Sequence, residues 1–455
     1  MSYSYYEHYK NSGENNIGLI PQSWKVAKLY LLSKRYAGGT PDKNTSEYWE
    51  NGTVPWLNSG SVNQFLITSP TTYITSDALE KSSAKWVPKG ALLIALAGQG
   101  KTKGMVAQTT FDTTCNQSMA AIICRKFNSR YLLWWLVSQY ENIRGLSSLD
   151  GRDGLNLEMI GGIKCPIPSS EEQKAIAAFL DKKSSEIDTL IAKKQKLIQL
   201  LEEKRSALIT QVVTKGLYSD VPLKESYLPW LNSIPTHWSI KKFQHTSFVK
   251  ARIGWQNLRS DEFTDDGPYC VTGTDFMDGK VNWSTAYHVS EQRYDLDTNI
   301  QLMNGDLLIT KDGTIGKLAL IDALPAKATL NSGIFVTRPL SNDYSNAFMY
   351  WLLSSQVFND FIKFMNTGTT INHLYQHMLE RFKYPLPPIE EQKVIVRFLV
   401  EETKKIDSIK SKIEEAIQRL KEYRSALIAY AVTGKIDVRP NLVRVDKLAH
   451  KEGTL

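Results

Sequence analysis

The chain has 455 residues, 42% of them apolar and 22% charged, which is too long for one ordinary core and implies two or three folded domains. No run of eighteen apolar residues occurs, and residues 1–10 lack the basic and apolar stretches of a secretory signal, so a cytoplasmic protein with no membrane span is expected. Lys and Arg exceed Asp and Glu by 8, a mild sign of a polyanionic partner.

That excess is uneven. Residues 20–164 hold 16 basic against 10 acidic side chains, whereas residues 233–383 hold 14 against 15, so a basic face there must come from placement. Cys115, Cys124, Cys165 and Cys270 are scattered with no C-x-x-C pair, which points to small buried side chains and away from zinc or disulfides. His373 and His377 stand four apart, but the glutamate of H-E-x-x-H is missing and no third ligand is apparent, so no metal site is assigned.

In chain order, an N-terminal segment (residues 1–19) precedes a first domain (20–164). Within it "IALAGQGKTKGM", residues 94–105, ends like a phosphate-binding loop at Gly100-Lys101-Thr102. Such a loop needs a glycine at both ends and must open a helix. Position 95 is alanine, and Val106, Thr109, Thr110, Phe111, Thr113 and Thr114 favour a strand, so a hairpin is the better expectation. A nucleotide hydrolase using Lys101 and Thr102 remains the catalytic alternative. The apolar "YLLWWLVSQYENI" from Tyr131 reads as a helix whose Trp134 and Trp135 are core residues.

A helical region follows (165–217). Ser169 and Glu172 form an S-x-x-E capping box after Pro166 and Pro168, and no proline interrupts the pattern before Gly216. Leu180, Ile187, Leu201 and Leu208 recur at heptad spacing with Ile176, Leu190 and Leu197 beside them. Residues 218–232 read as a linker, 233–383 as a second domain, and 384–436 as a second helical region starting at Pro387-Pro388. Its stripe is Leu399, Ile406, Ile413, Leu420 and Leu427, flanked by Ile395, Ile409, Ala416 and Tyr423. Residues 437–455 form a tail.

The two helical regions repeat each other. "PIPSSEEQKAIAAFL" from Pro166 recurs as "PLPPIEEQKVIVRFL" from Pro385, and "RSALITQVVT" from Arg205 as "RSALIAYAVT" from Arg424, both at an offset of 219 residues. The preceding domains correspond more loosely. "GALLIAL" at Gly90 echoes "GDLLITK" at Gly305, Asn116-Gln117 echoes Asn331-Ser332, and the helix "FMYWLLSSQVFNDFI" from Phe348, with Tyr350 and Trp351, echoes the one from Tyr131. The expected architecture is α+β: two mixed α/β domains alternating with two long helices that pair as an antiparallel coiled coil, in a pseudo-two-fold internal repeat. Packing each helix on its own domain is the alternative.

With the Pro-x-Pro, Glu-Glu-Gln-Lys, Phe-Leu, Ile-Asp and Arg-Ser-Ala-Leu-Ile segments occurring twice, and with "VPWLNSG" at Val54, "LAGQGKTKG" at Leu96 and "NQSMAA" at Asn116, nearly the whole chain resembles the specificity subunit of Type I restriction–modification systems. The resemblance implies a non-catalytic subunit in which each domain reads one half of a bipartite double-stranded DNA target in the major groove. It also implies that the paired helices set the spacer and dock two modification (methyltransferase) subunits, joined by restriction (translocase–nuclease) subunits. S-adenosylmethionine, ATP and Mg²⁺ would act in those partners. The chain itself has no complete Walker A, no Asn-Pro-Pro-Phe or Asp-Pro-Pro-Tyr tetrapeptide, and only isolated Asp–Lys neighbours at Asp42-Lys43 and Lys311-Asp312. A coiled-coil scaffold without a nucleic-acid ligand is the third alternative.

Base reading needs hydrogen-bonding side chains on loops, and register needs cations and small donors at phosphates. The DNA-binding candidates are therefore Lys101, Lys103, Asn116, Gln117, Arg152 and Asn156 in the first domain. In the second they are Lys311, Thr314, Lys317, Asn331, Thr369, Thr370 and Asn372. Each also fits a role in satisfying a turn backbone. Trp56 and Trp255, in loop contexts, are open as stacking platforms.

Overall fold

The computed structural model describes residues 3–98, 100–149, 154–252, 258, 262–365 and 373–439. It divides into two compact units, Met1–Lys193 with Glu415–Leu455, and Lys194–Glu414. The division falls inside both long helices, so each unit holds one domain, the start of the helix that follows it and the end of the other helix.

In the first unit the core sheet has five strands. Ser33–Ala37, Met119–Cys124, Leu92–Ala95 and Val106–Thr109 lie in that order, all antiparallel, and Leu66–Ile67 joins the last in parallel. Alternate apolar side chains cover both faces, Leu92, Ile94 and Ile122 on one and Leu93, Ala95 and Ala121 on the other, as a strand buried on two sides requires. A three-stranded sheet adjoins it, with Val54–Leu57 between Thr114–Cys115 and Thr72–Ile74. The apolar helix Ser129–Ser138 buries Trp134 and Trp135 against the first sheet's core.

The second unit has a four-stranded sheet in the order Ser247–Ala251, Ile334–Pro339, Leu307–Thr310, Leu318–Leu320, again antiparallel throughout. Its three-stranded sheet places Phe263–Val271 between Tyr287–Val289, antiparallel, and Ala328–Leu330, parallel. The helix Asn346–Leu353 buries Trp351 and leaves Tyr350 half-buried.

The long helices are Ser170–Lys215 and Ile389–Val432, of 46 and 44 residues, or roughly 69 and 66 Å at ~1.5 Å per residue. The first begins with the expected capping box: Glu172 N–H donates to Ser169 Oγ at 3.3 Å, and Ser169 N–H to Glu172 Oε2 at 2.9 Å. The Glu-Glu-Gln motif has a second task. Trp24 Nε1 donates to Glu172 at 3.3 Å in one unit, and Trp238 Nε1 to Glu391 at 3.0 Å in the other. The buried amides of Gln173 and Gln392 tie each helix start to its domain. Gln173 Oε1 accepts from Asn128 N–H at 2.9 Å, and Gln392 Oε1 from Ser345 N–H at 3.0 Å.

Within the second unit Lys410 reaches Glu202 at 2.6 Å and Arg205 reaches Asp407 at 3.7 Å, three residues forward on one helix answering three back on the other. Within the first, Arg424 meets Asp188 at 3.5 Å. Of the heptad positions, Leu180, Ile187, Leu399, Ile406, Ile413 and Leu427 are buried, and Leu201, Leu208 and Leu420 half-buried. The flanking Leu190, Leu197, Ile409 and Tyr423 are exposed, although they stand beside the stripe in sequence.

Two segments differ from expectation. The Pro-x-Pro runs are strand ends: Lys164–Ile167 pairs with Lys25–Lys28, and Lys383–Leu386 with Ser239–Lys242. The linker at 218–232 contains a strand, Leu223–Leu228, that forms a hairpin with Leu231–Pro235. At the far end of the second helix Gly434 has φ +70°, and a Cβ there would sit 2.4 Å from Pro21 Cδ. We expect Gly434→Ala to cost about 2–3 kcal/mol through strain and overlap. Gly90→Ala, at φ +82° with open space around it, should cost only about 1 kcal/mol. Thermal unfolding of the two variants checks this, and equal losses would refute the steric argument.

Candidate nucleic-acid interface

The Gly-Lys-Thr segment lies in the turn between the antiparallel strands Leu92–Ala95 and Val106–Thr109, with Gly98, Gly100 and Gly104 at positive φ. Among the described residues of this turn no helix opens, so they do not form the phosphate-cradling loop-to-helix geometry of a nucleotide hydrolase. The expected hairpin is present instead.

The end of the first of these strands is a junction. Leu96 N–H donates to Ser118 O at 2.8 Å, and Leu96 O accepts from Leu155 N–H at 2.7 Å. The turn bearing Lys101 and Lys103, the loop bearing Asn116 and Gln117, and the segment leading into Asn156 therefore converge on one residue's backbone. In the second unit Lys311 is the junction. Its N–H donates to Gly333 O and its O accepts from Leu374 N–H, both at 2.8 Å, which gathers the turn from 311 to 317 with Asn331 and the segment after 372.

The candidate side chains are differently placed. Lys101, Gln117, Thr314 and Lys317 are exposed. Lys103 Nζ donates to Ser147 Oγ at 2.8 Å, and Gln117 accepts from Thr40. Asn116 Oδ1 is buried without a hydrogen-bond partner, while Asn331 Oδ1 accepts from Ser332 N–H at 2.7 Å. Asn156 caps the helix Leu157–Gly162 by accepting from Met159 N–H at 2.8 Å, the turn-satisfying role open to it from sequence. Lys311 lies with Nζ 5.5 Å from the Phe335 ring centre. Arg152, Thr369, Thr370, Asn372 and Trp255 lie outside the described residues. Trp56 is core: its Nε1 donates to Gly39 O at 3.1 Å and its ring meets Trp49 edge-on.

Sequence reading missed the residues that hold these turns. Tyr140 Oη donates to Lys101 O at 2.5 Å, and Arg144 donates to Gly100 O at 2.5 Å and to Tyr140 Oη at 3.2 Å. In the second unit Asp312 pairs with His373. No spacing rule ties these pairs together in the chain. Burial pushes the Cys115 and Cys270 thiols up to about 12, so neither is a nucleophile at neutral pH. Among the described residues no group of three potential metal ligands occurs, and no helix is long and apolar enough to cross a membrane.

The sequence model of the Type I restriction modification DNA specificity domain matches residues 21–200 and 243–419. The chain belongs to this family, and its role is DNA sequence specificity, a recognition task and not a catalytic one. It is 25% identical over 435 residues to the Type I restriction enzyme MjaVIII specificity subunit of Methanocaldococcus jannaschii, covering 92% of this chain and 94% of that one. It is 28% identical over 206 residues to the EcoR124I/EcoR124II specificity subunit of Escherichia coli, 44% and 45% of the two chains. In fold it is similar to a chain from a structural study of complex assembly and conformational transition of the type I R-M system, with a TM-score of 0.72 at 16% identity, covering 92% of this chain and 99% of that one. The HsdS subunit from Thermoanaerobacter tengcongensis gives 0.52 at 15% identity, covering 92% and 98%.

Proposed function

We propose that residues 20–164 and 233–383 are two target-recognition domains, each reading one half of a bipartite target in the major groove of double-stranded DNA. The observation that carries this reading is the repeated junction: Leu96 in one unit and Lys311 in the other gather the same three segments by the same two backbone bonds. Loops fixed to a rigid sheet can present donors and acceptors to base edges, with Lys101, Arg144, Lys311 and Lys317 at phosphates.

The matching strand orders, and the cross-helix pairs of Arg205 with Asp407 and Arg424 with Asp188, support an internal pseudo-two-fold repeat. They support equally two long helices paired antiparallel as the spacer. The helices then dock two modification subunits, with restriction subunits joining them, and the exposed flank residues Leu190 in one unit and Leu197 and Ile409 in the other offer apolar surface for that. S-adenosylmethionine, ATP and Mg²⁺ belong to those partners, and the assembly works in the cytoplasm.

The test uses the assembled complex in cells. Asn116→Ala or Gln117→Ala should relax one half of the methylated motif and leave the other intact, since a base-edge contact carries ~1–3 kcal/mol of discrimination. Methylation-sensitive sequencing reads the outcome, and relaxation spread over both halves would contradict the assignment.

A further inference from the structure

The two halves use one backbone position in opposite ways. In each unit the residue before it gives its N–H to the junction, Leu155 to Leu96 O at 2.7 Å and Leu374 to Lys311 O at 2.8 Å. The next residue, Asn156 in the first unit and Tyr375 in the second, has an extended backbone and is the N-cap of a six-residue helix, Leu157–Gly162 or Gln376–Arg381. Asn156 serves that helix, accepting from Met159 N–H at 2.8 Å. Tyr375 makes no side-chain cap bond. Its hydroxyl stands too far along the ring to reach the first-turn amides, so the second unit forgoes a cap that asparagine supplies to the first.

A row of rings stands there instead. Tyr375 is 53% exposed, yet it is held on both flanks. The His373 ring lies 4.6 Å from it, centre to centre, and the exposed His377 ring stacks on it at 5.6 Å with 23° between the planes. His373 is paired in turn with Asp312, the residue after the junction. Counted from the junction, the first unit has Gly154 and Glu158 where these two imidazoles stand.

We infer that Tyr375, fixed between His373 and His377, reads base edges in the second half-site, a role that Asn156 does not share. This deepens the recognition role proposed above and rests on it. The missing cap is a local loss of stability, and the ring that replaces it keeps half its surface in solvent, where a partner's atoms can cover it. The ring starts one residue from the segment bonded to Lys311, among the three segments gathered for base reading. With two side-chain torsions, already restrained by the imidazoles, a tyrosine offers contact area at little ordering cost. Its ring can lie on a thymine methyl while its hydroxyl donates to a base acceptor.

Tyr375→Asn restores the cap and removes the ring, whereas Tyr375→Ala only removes the ring. In cells carrying the whole complex, both variants should lose about tenfold in discrimination at a base pair of the second half-site, read by methylation sequencing, with the first half and the spacer unchanged. Thermal unfolding of the full-length chain should separate them: Tyr375→Asn should gain about 2–4 °C and Tyr375→Ala should keep the parent's midpoint. A uniform loss of methylation with no relaxed pair, or a relaxed motif that follows a lowered midpoint, would overturn the inference. So would loss of the modification subunit from the purified complex, which would put the ring at a protein interface. An unchanged motif, where Asn116→Ala still relaxes the first half, overturns this inference alone. Relaxation of the first half by either Tyr375 variant overturns the two-domain reading with it.

Discussion

Replacing Gln392 with alanine is expected to destabilise the second unit by about 3 kcal/mol, a loss of ~6–12 °C in its thermal midpoint for a unit of this size. The side chain is fully buried and bonds three ways: Oε1 accepts from Ser345 N–H, and Nε2 donates to Asp343 O at 2.8 Å and Pro387 O at 2.9 Å. Alanine leaves the Pro387 carbonyl without a partner in the interior, and the Ser345 N-cap amide and the Asp343 carbonyl without one at its half-buried edge, each worth up to ~1–3 kcal/mol less whatever water enters. Gln173, with one bond to Asn128 N–H and one to Pro168 O, should cost less by about 1 kcal/mol on truncation. Calorimetry of the two variants checks the order, and a Gln392→Ala protein within 0.5 kcal/mol of the parent, a surface-like effect, would refute this account of the Glu-Glu-Gln motif.

Adding one helical turn to both long helices, after Leu190 and after Ile409, is expected to lengthen the unread spacer of the DNA target. One turn is ~5.4 Å, or one to two base pairs at roughly 3.4 Å each. Each added pair also rotates one half-site by about 34–36°, so weaker binding should accompany the longer spacer. Both points are exposed, so the inserted side chains themselves face solvent. Methylation sequencing should return both half-sites unchanged with a longer gap between them. An unchanged gap from an assembled, active complex would show that the helices do not set the distance.

Much of this architecture could be read from the chain because it depends on local rules. The capping box at Ser169 and Glu172 forms as its spacing requires, and the glycine-rich turn after Ala95 joins two strands as its β-branched flank demands. What stayed hidden depends on long-range partners. Heptad spacing marks a stripe but not its width, so Ile409 and Tyr423 looked buried and are exposed. The Pro-x-Pro runs hold strands only because Lys25–Lys28 and Ser239–Lys242 lie alongside. Asn156 offered the same sequence signal whether it met DNA or capped a helix, and the cap is now visible.

The central claim is that each domain reads its own half of the target. Exchanging residues 20–164 for the matching domain of a relative with a different target, then sequencing the methylated sites in cells carrying the whole complex, tests it most directly. One half-site should become the donor's, with the other half-site and the spacer length retained. A motif changed in both halves, or in neither while the complex assembles and methylates, would contradict it.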